Sequence, residues 1–165
     1  MSDFRAWQLN CHNSEVWQLR SLVPASRKSN KTILIVDDED SDRNRFCQIL
    51  LRQGYTVLEA DCYGRAIRVV DDNLDRVDLL VADVSLPDGD ACDLALQLRD
   101  RQPGLRVLFV SGHVGAELCR FYGLDQSGLH FLKKPFTAKQ LSESVHQVLN
   151  AVEPFPQLVR KYRTA

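Results

Sequence analysis

Short apolar runs that end at charged residues recur along this chain. Three of them stand out: residues 33–36 before Asp37 and Asp38, residues 79–82 before Asp83, and residues 130–133 before Lys134 and Pro135. An unbroken apolar run of about four residues is typical of a strand that is buried on both faces, as in a parallel sheet covered by helices. We therefore predict that these charged side chains follow buried parallel strands.

Helical spacing and turn residues separate five predicted strands. The strands are predicted at residues 33–36, 56–58, 79–82, 107–110 and 129–132. Helices are predicted from near Ser41 and Asp42, at 63–70, around Leu94, at about 115–123 and from Thr137 to about Asn150. Strands and helices that alternate, joined by right-handed crossovers, predict an α/β fold: a doubly wound, five-stranded parallel sheet of flavodoxin-like order 2-1-3-4-5 with five helices.

Two helix starts carry cap residues in this interpretation. Ser41 and Asp42 are predicted to form the N-cap region of the first helix. Thr137 is followed three residues later by Gln140, which is the pattern of a capping box. The last helix is therefore predicted to begin at Thr137.

The acidic residues at the strand ends indicate a cation site. In open sheets of this order, ligands bind beyond the carboxyl ends of the strands at the switch point. Asp37, Asp38 and Asp83 would lie a few ångströms apart there, and their repulsion requires protons or a cation. Mg²⁺ suits such a site because it prefers oxygen ligands. Any single aspartate could instead cap a helix.

Length and composition predict one domain with two flanking segments. The chain has 165 residues, 44% of them hydrophobic, which is enough for one buried core and too few residues for two ordinary domains. Residues 1–30 are mostly polar and are interpreted as an N-terminal extension or linker, and residues 31–150 as the domain. Residues 151–165 are interpreted as a solvated tail with a basic end.

Charge and cysteine usage restrict the partners. A formal net charge of −1 provides no basic field for nucleic acid, so no nucleic-acid partner is expected. No apolar stretch reaches the roughly 18 residues of a membrane span, and the N-terminus lacks the features of a signal peptide. Five cysteines without a C-x-x-C pair fit reduced thiols, so we expect no disulfide, no zinc site and a cytoplasmic location.

The motifs at the strand ends resemble the receiver domain of bacterial two-component response regulators, in particular stand-alone receivers of the chemotaxis-regulator type. The resemblance covers roughly residues 31–150. It rests on four motifs in the family's order and spacing: Ile35-Val36-Asp37-Asp38-Glu39, Val81-Ala82-Asp83-Val84-Ser85-Leu86-Pro87, Val110-Ser111-Gly112 and Phe131-Leu132-Lys133-Lys134-Pro135-Phe136.

The resemblance implies phosphoryl chemistry at Asp83. This residue would take a phosphoryl group from a phosphohistidine of a sensor histidine kinase or a histidine phosphotransfer protein. Asp38, Asp83 and the backbone carbonyl of Ser85 would bind Mg²⁺ directly, and Asp37 would hold a metal-bound water. Lys134 would neutralise charge on the transferred group, as phosphoryl transfer requires.

The resemblance also implies a conformational switch and two tuning positions. Ser111 would hydrogen-bond the new phosphoryl group and Phe131 would swing inward, although a Phe that simply packs on the sheet is an equal alternative. The helix at 115–123, the fifth strand and the last helix would form the output face. Ser85 and His113 occupy the positions that tune the lifetime of the phosphoryl group. Neither is acidic nor carries an amide, so we expect slow to moderate self-dephosphorylation. The alternative is that His113 orients an attacking water.

One position departs from the family pattern. The family often has glycine eight residues after the phosphoacceptor, where this chain has Ala91, and Gly89 lies two residues earlier. The loop between the third strand and the third helix is therefore expected to close differently.

Several functional readings stay open at this point. The residues after the last helix are too few for an output domain, so we expect a stand-alone receiver that signals to a downstream protein effector or passes its phosphoryl group onward. It would not be an enzyme beyond its own phosphorylation and dephosphorylation. Alternatives are a receiver module of a hybrid kinase and a pseudo-receiver that only binds. A Mg²⁺-dependent aspartyl phosphatase fits poorly because Ser85 replaces its second aspartate. A homodimer formed on phosphorylation is left open.

Overall fold

The computed structural model describes residues 31–72, 77–112 and 130–151. These residues form five strands and four helices. In chain order they are β1 (Thr32–Val36), α1 (Asp40–Arg52), β2 (Thr56–Ala60), α2 (Tyr63–Asp72), β3 (Leu79–Asp83), α3 (Ala91–Arg101), β4 (Arg106–Ser111), β5 (His130–Lys133) and α4 (Ala138–Leu149). The predicted extension at 1–30, the helix at 115–123, His113 and the tail beyond 151 lie outside the described residues.

The five strands form one parallel sheet of order β2-β1-β3-β4-β5. The predicted doubly wound fold and strand order are confirmed. β1 pairs with both β2 and β3, so the order of the strands reverses at β1. The carboxyl ends of β1 and β3 therefore lie side by side, and residues that follow these strands share one edge of the sheet.

Both faces of the sheet are covered, which explains the unbroken apolar runs. Alternate residues of β1 point to opposite faces: Leu34 and Val36 belong to one buried cluster, Ile33 and Ile35 to the other. The first cluster packs against α2 and α3, the second against α1 and α4. No polar face remains on β1 or β3, so these strands cannot alternate polar and apolar residues.

One of the two predicted helix starts is wrong and the other is correct. The N-cap residue of α1 is Glu39, and Ser41 and Asp42 lie inside the first helical turn. The side chain of Asp42 does not cap the helix because it contacts Lys134 instead. Thr137 caps α4, and Gln140 completes the capping box in both directions.

None of the four described helices combines the length and the apolar character that a membrane-spanning helix requires.

The loop between β3 and α3 packs against the start of α2. Both carboxylate oxygens of Asp88 accept backbone N–H groups there, from Tyr63 at 2.8 Å and Gly64 at 3.0 Å. A Cβ at Gly89 would lie 2.5 Å from the Tyr63 ring, so this close approach requires glycine. Ala91 is buried at the first position of α3. The glycine requirement therefore lies at position 89, where the loop meets α2.

Candidate functional site

Four charged side chains meet at the carboxyl edge of the sheet. Lys134, which follows β5, places its Nζ 2.6 Å from Asp83 Oδ2, 2.9 Å from Asp37 Oδ2 and 2.8 Å from Asp42 Oδ2. Asp37 follows β1, Asp83 ends β3, and Asp42 lies in the first turn of α1. One ammonium group therefore contacts three carboxylates that come from three parts of the chain.

Asp37 is held by its own neighbours as well as by Lys134. Its side chain is 1% exposed, and its Oδ1 accepts the backbone N–H of Glu39 at 2.9 Å. The Arg43 guanidinium donates to the Asp37 carbonyl at 2.7 Å, and the Asp37 N–H donates to the carbonyl of Ala60 at 3.2 Å. These contacts from α1 and β2 leave the carboxylate one orientation, which is toward Lys134.

Asp83 is anchored in a similar way but is more open. Its Oδ1 accepts the backbone N–H of Ser85 at 2.8 Å, while its Oδ2 contacts Lys134. The following residue, Val84, donates its N–H to the carbonyl of Val110 at 3.0 Å, which continues the pairing of β3 with β4. Ser85 is exposed. The carboxylate of Asp83 is thus oriented from one side and accessible from the other.

The site contains more carboxylates than cationic groups, because Asp37, Asp42 and Asp83 share the single ammonium group of Lys134. Burial raises the pKa of Asp37 above its ordinary value, although the hydrogen bonds from Lys134 and Glu39 favour its charged form. The nearby charge of Asp83 raises the pKa of Asp37 further. Burial alone would lower the pKa of Lys134, but the hydrogen bonds to Asp42, Asp83 and Asp37 outweigh it and raise that pKa.

Lys134 is positioned through both its backbone and its ammonium group. Its N–H donates to the Ser111 carbonyl at 2.8 Å, which extends the pairing of β4 with β5 by one residue. Its Nζ lies 5.7 Å from the centroid of the Phe46 ring. Lys133, the neighbouring residue, is exposed. The alternation of β5 therefore sends only Lys134 to the carboxylates, as the strand period predicts.

The predicted gathering of Asp37, Asp38 and Asp83 is found for Asp37 and Asp83, which share the Lys134 ammonium. Over residues 31–72, 77–112 and 130–151, no three acidic, histidine or cysteine side chains form a group arranged to hold a metal ion. Asp38 is exposed, and the Lys134 ammonium lies against Asp37 and Asp83, where it already balances part of their charge. The available ligand atoms are the carboxylate oxygens of Asp83 and of the buried Asp37, and Mg²⁺ prefers oxygen ligands of this kind.

The two predicted switch residues lie near this edge. Ser111 is buried at the end of β4, one residue beyond Val110, the β4 residue that pairs with Asp83. A Cβ at Gly112 would meet no atom within 4 Å, so there is open space beside Ser111. Phe131 is half-buried, and its ring stacks on Phe109 with a centroid distance of 5.5 Å. In this structure Phe131 packs on the sheet.

Two residues at the site were missed from the sequence. The sequence pattern indicates a helix cap for Asp42 and no role at the site for Arg43, whereas Asp42 contacts Lys134 and Arg43 donates to the Asp37 carbonyl. The available signal was the charge run from Asp37 to Arg43. A helix that begins at Asp40 directs its first turn toward the edge of the sheet, so it brings Asp42 to the site.

Comparison with known proteins assigns the chain to a family. The response regulator receiver domain family matches residues 33–146, so this chain belongs to the receiver domains of two-component systems. A region of the sensor kinase CckA of Brucella abortus is 36% identical over 118 residues, which are 72% of this chain and 12% of that kinase. The transcriptional regulatory protein CreB of Escherichia coli is 29% identical over 76% of this chain and 53% of CreB.

Solved structures agree with this assignment. The receiver domain of the hybrid histidine kinase CckA superposes with a TM-score of 0.60 at 34% identity, and covers 72% of this chain and 98% of that domain. A response regulator receiver protein of Sinorhizobium medicae gives a TM-score of 0.64 at 29% identity, over 74% and 97% of the two chains. The chain thus spans a whole receiver, but only about an eighth of the Brucella kinase and half of CreB.

Proposed function

We propose that this chain is a phosphoacceptor: Asp83 takes a phosphoryl group from a phosphohistidine, and the product signals by a change of conformation. The donor would be a sensor histidine kinase or a histidine phosphotransfer protein. The observation that carries the proposal is the contact of Lys134 with both Asp83 and Asp37 at the carboxyl edge of the sheet. A nucleophilic carboxylate beside a fixed ammonium group is what phosphoryl transfer needs.

The proposed step exchanges one bond to phosphorus for another. A carboxylate oxygen of Asp83 forms the new bond while the bond from phosphorus to the donor's imidazole nitrogen breaks. The departing nitrogen keeps that electron pair and takes a proton. Lys134 can donate to a phosphoryl oxygen during the transfer, because its ammonium already lies 2.6 Å from the attacking carboxylate.

Mg²⁺ belongs to this proposal as the second source of positive charge. Receiver domains generally bind Mg²⁺ for their phosphorylation. In this chain we propose Asp38, Asp83 and the backbone carbonyl of Ser85 as direct ligands, with Asp37 binding through a water. The ion would neutralise charge on the phosphoryl oxygens. Its support is the donor set, in which the carboxylates of Asp37 and Asp83 lie at the same edge of the sheet.

We propose Ser111 and Phe131 as the switch that reports the phosphoryl group. Ser111 lies at the end of the strand next to Asp83, with open space beside it at Gly112. A hydroxyl drawn toward the phosphoryl group would leave room for the Phe131 ring, which is half-buried against Phe109. Ser85 and His113 stay the proposed tuning positions for a slow to moderate loss of the group.

The organisation of the whole protein is a separate part of the proposal. Residues 31–150 would be the receiver, residues 1–30 an extension or linker, and residues 151–165 a tail. We propose that the receiver acts through contacts with a protein effector in the cytoplasm and catalyses no reaction on a separate substrate. The similarity to CckA receivers supports the second candidate, a receiver module of a hybrid kinase.

Intact-mass measurement tests the phosphoacceptor role. The chain is incubated with acetyl phosphate and Mg²⁺, and we expect a gain of about 80 Da, the mass of one phosphoryl group. The gain should vanish in Asp83→Asn and on chelation of Mg²⁺.

Asp88→Asn is the matched control for this experiment. Asp88 is an exposed aspartate on the same loop, whose carboxylate binds backbone N–H groups of α2 rather than Lys134. This variant should gain mass as the unmodified chain does. A mass gain that persists in Asp83→Asn would assign the phosphoryl group to another residue and refute the proposal.

A further inference from the structure

We infer that Asp42 restrains Lys134 and thereby limits how readily Asp83 takes a phosphoryl group. This inference rests on the proposed function. It concerns a residue whose carboxylate lies at the site but which belongs neither to the proposed metal ligands nor to the nucleophile. Its basis is the 2.8 Å contact between Asp42 Oδ2 and Lys134 Nζ.

The first step of the argument is the number of donors. A lysine ammonium group has three hydrogens to donate and accepts nothing. The structure places three carboxylate oxygens within 2.9 Å of Lys134 Nζ, one each from Asp37, Asp42 and Asp83. Each donor therefore already faces an acceptor.

The second step is what phosphorylation adds. A phosphoryl group on Asp83 brings three strong acceptor oxygens next to Lys134. Before the transfer is complete Asp83 is still a charged carboxylate, so the ammonium can donate to an approaching phosphoryl oxygen only by releasing one of its three present partners. Release of a buried carboxylate is costly because the carboxylate is left without compensation, whereas an exposed one can turn to water.

The third step is which partner is released. The side chain of Asp37 is 1% exposed and that of Asp83 is 12% exposed, whereas that of Asp42 is 24% exposed. Asp37 is further held by the Glu39 N–H, and Asp83 by the Ser85 N–H. Asp42 is thus the partner that the phosphoryl group displaces, and until then it competes for the lysine.

The charge of Asp42 acts in the same direction as its contact. A carboxylate beside Lys134 repels an incoming phosphodonor, which is an anion, and attracts a cation to the same edge of the sheet. Its removal should therefore have two opposite consequences. Phosphorylation becomes faster, and Mg²⁺ binds more weakly.

The test compares Asp42→Ala and Asp42→Asn with the unmodified chain. In the reaction with acetyl phosphate, an Asp83 oxygen forms the bond to phosphorus and acetate leaves with the electrons of the broken P–O bond. At saturating Mg²⁺ we expect the rate of mass gain to rise about threefold to tenfold in Asp42→Ala, the effect of one charge a few ångströms away. Asp42→Asn should lie between, since its amide oxygen still accepts from Lys134.

Calorimetry supplies the second readout. The Kd for Mg²⁺, measured without phosphodonor, should rise in Asp42→Ala by a similar factor. Structural damage would instead lower both the rate and the affinity, so opposite shifts separate the two explanations. Asp40→Asn is the control: it removes the same charge from the same helical turn, but Asp40 pairs with Arg43. We expect changes below about twofold there.

The outcomes for the inference and for the proposed function are distinguishable. If the unmodified chain gains no mass, that result counts against the proposed function. If Asp42→Ala gains mass while the unmodified chain does not, that result supports the inference. Equal rates in Asp42→Ala and the unmodified chain, or a slower rate in the variant, would overturn the inference while the function stands. A gain in neither protein would overturn both.

Discussion

The two ends of the sheet carry different arrangements of aspartate and lysine. At the amino end, Asp78 is 6% exposed, and its carboxylate accepts the Lys31 ammonium at 2.8 Å and the Thr32 N–H at 3.0 Å. At the carboxyl end, one ammonium, that of Lys134, serves three carboxylates. The amino-end pair is balanced, whereas the carboxyl-end cluster has two more negative charges than positive ones when all its groups are ionised.

The difference lies in charge balance: the ion pair at the amino end is neutral, and the cluster at the carboxyl end, where the phosphoacceptor is proposed, is not. The Asp78 carboxylate accepts hydrogen bonds from the Lys31 ammonium and the Thr32 N–H. The Asp78 N–H also donates to the Thr32 carbonyl, so this residue links the starts of β1 and β3 and its charge is balanced. The carboxyl-end cluster keeps excess negative charge in a partly buried place, which costs free energy unless a cation or a proton is added. An unbalanced charge at a strand end therefore indicates function better than the number of acidic residues does.

Removal of Lys134 should have the largest effect on chemistry. In Lys134→Ala the carboxylates lose their shared cation and the phosphoryl oxygens lose a fixed donor, so we expect phosphorylation by acetyl phosphate to slow by about a hundredfold or more. The rate of mass gain measures it. Lys133→Ala is the control, since Lys133 is adjacent in sequence but exposed, and its rate should not change. A Lys134→Ala rate within a few-fold of the unmodified chain would refute the role given to this lysine.

Removal of Asp78 should affect stability and not chemistry. Asp78→Ala leaves the Thr32 N–H without its side-chain acceptor, and we expect the free energy of unfolding to fall by about 1–3 kcal/mol. Denaturant unfolding measures the change, and phosphorylation should be unaltered. The exposed Asp71–Arg101 pair offers a comparison, because Asp71→Ala should cost less than about 1 kcal/mol. Loss of phosphorylation in a folded Asp78→Ala chain would contradict the contrast between the two ends.

Asp88 provides a smaller, pH-dependent effect at the carboxyl edge. Hydrogen bonds from the Gly64 and Tyr63 N–H groups lower the pKa of Asp88, so its charged form stabilises the fold. A lowered pKa means that this stabilisation is complete above the unfolded value of about 3.9 and is lost as the pH falls through the folded value. Asp88→Asn should therefore lower the Tm at pH 7.

The difference in Tm between Asp88→Asn and the unmodified chain should begin to shrink below about pH 4 and should be smallest below the lowered folded pKa, where the native carboxyl is protonated too. Thermal unfolding followed by circular dichroism at pH 7 and at pH 3 measures both differences. A difference that stays constant with pH would show that the lost charge is not the cause.

The spacing of apolar residues was enough to predict most of the fold. The runs 33–36 and 79–82 are apolar throughout because both faces of β1 and β3 are buried, so their position and the sheet order could be predicted. The element ends were less accurate: β2 extends to Ala60 rather than residue 58, and β4 includes Ser111. Ends depend on hydrogen bonds between strands, which a single strand's pattern does not contain.

The candidate site was only partly predictable for a related reason. Asp37, Asp83 and Lys134 follow strands, and the sheet order alone brings strand ends together. Asp42 lies on a helix, and the direction of its side chain depends on the residue at which that helix starts. The N-cap is Glu39, at least two residues before the predicted cap region at Ser41 and Asp42. Asp37 and Asp38 both follow β1, so the strand pattern does not distinguish them. The contacts that hold Asp37 come from β2 and α1, which the strand pattern does not contain.

The pattern of apolar and charged residues is enough to predict the parallel sheet, its order and the edge at which acidic residues and a lysine meet. These follow from burial on both faces of the strands and from right-handed crossovers, which are general properties of such chains. The contact of Lys134 with Asp42 as well as with Asp37 and Asp83, and the exposure of Asp38, are seen only in the folded chain. Side-chain partners at a shared edge depend on distances of about an ångström between distant segments, and no local pattern encodes those distances.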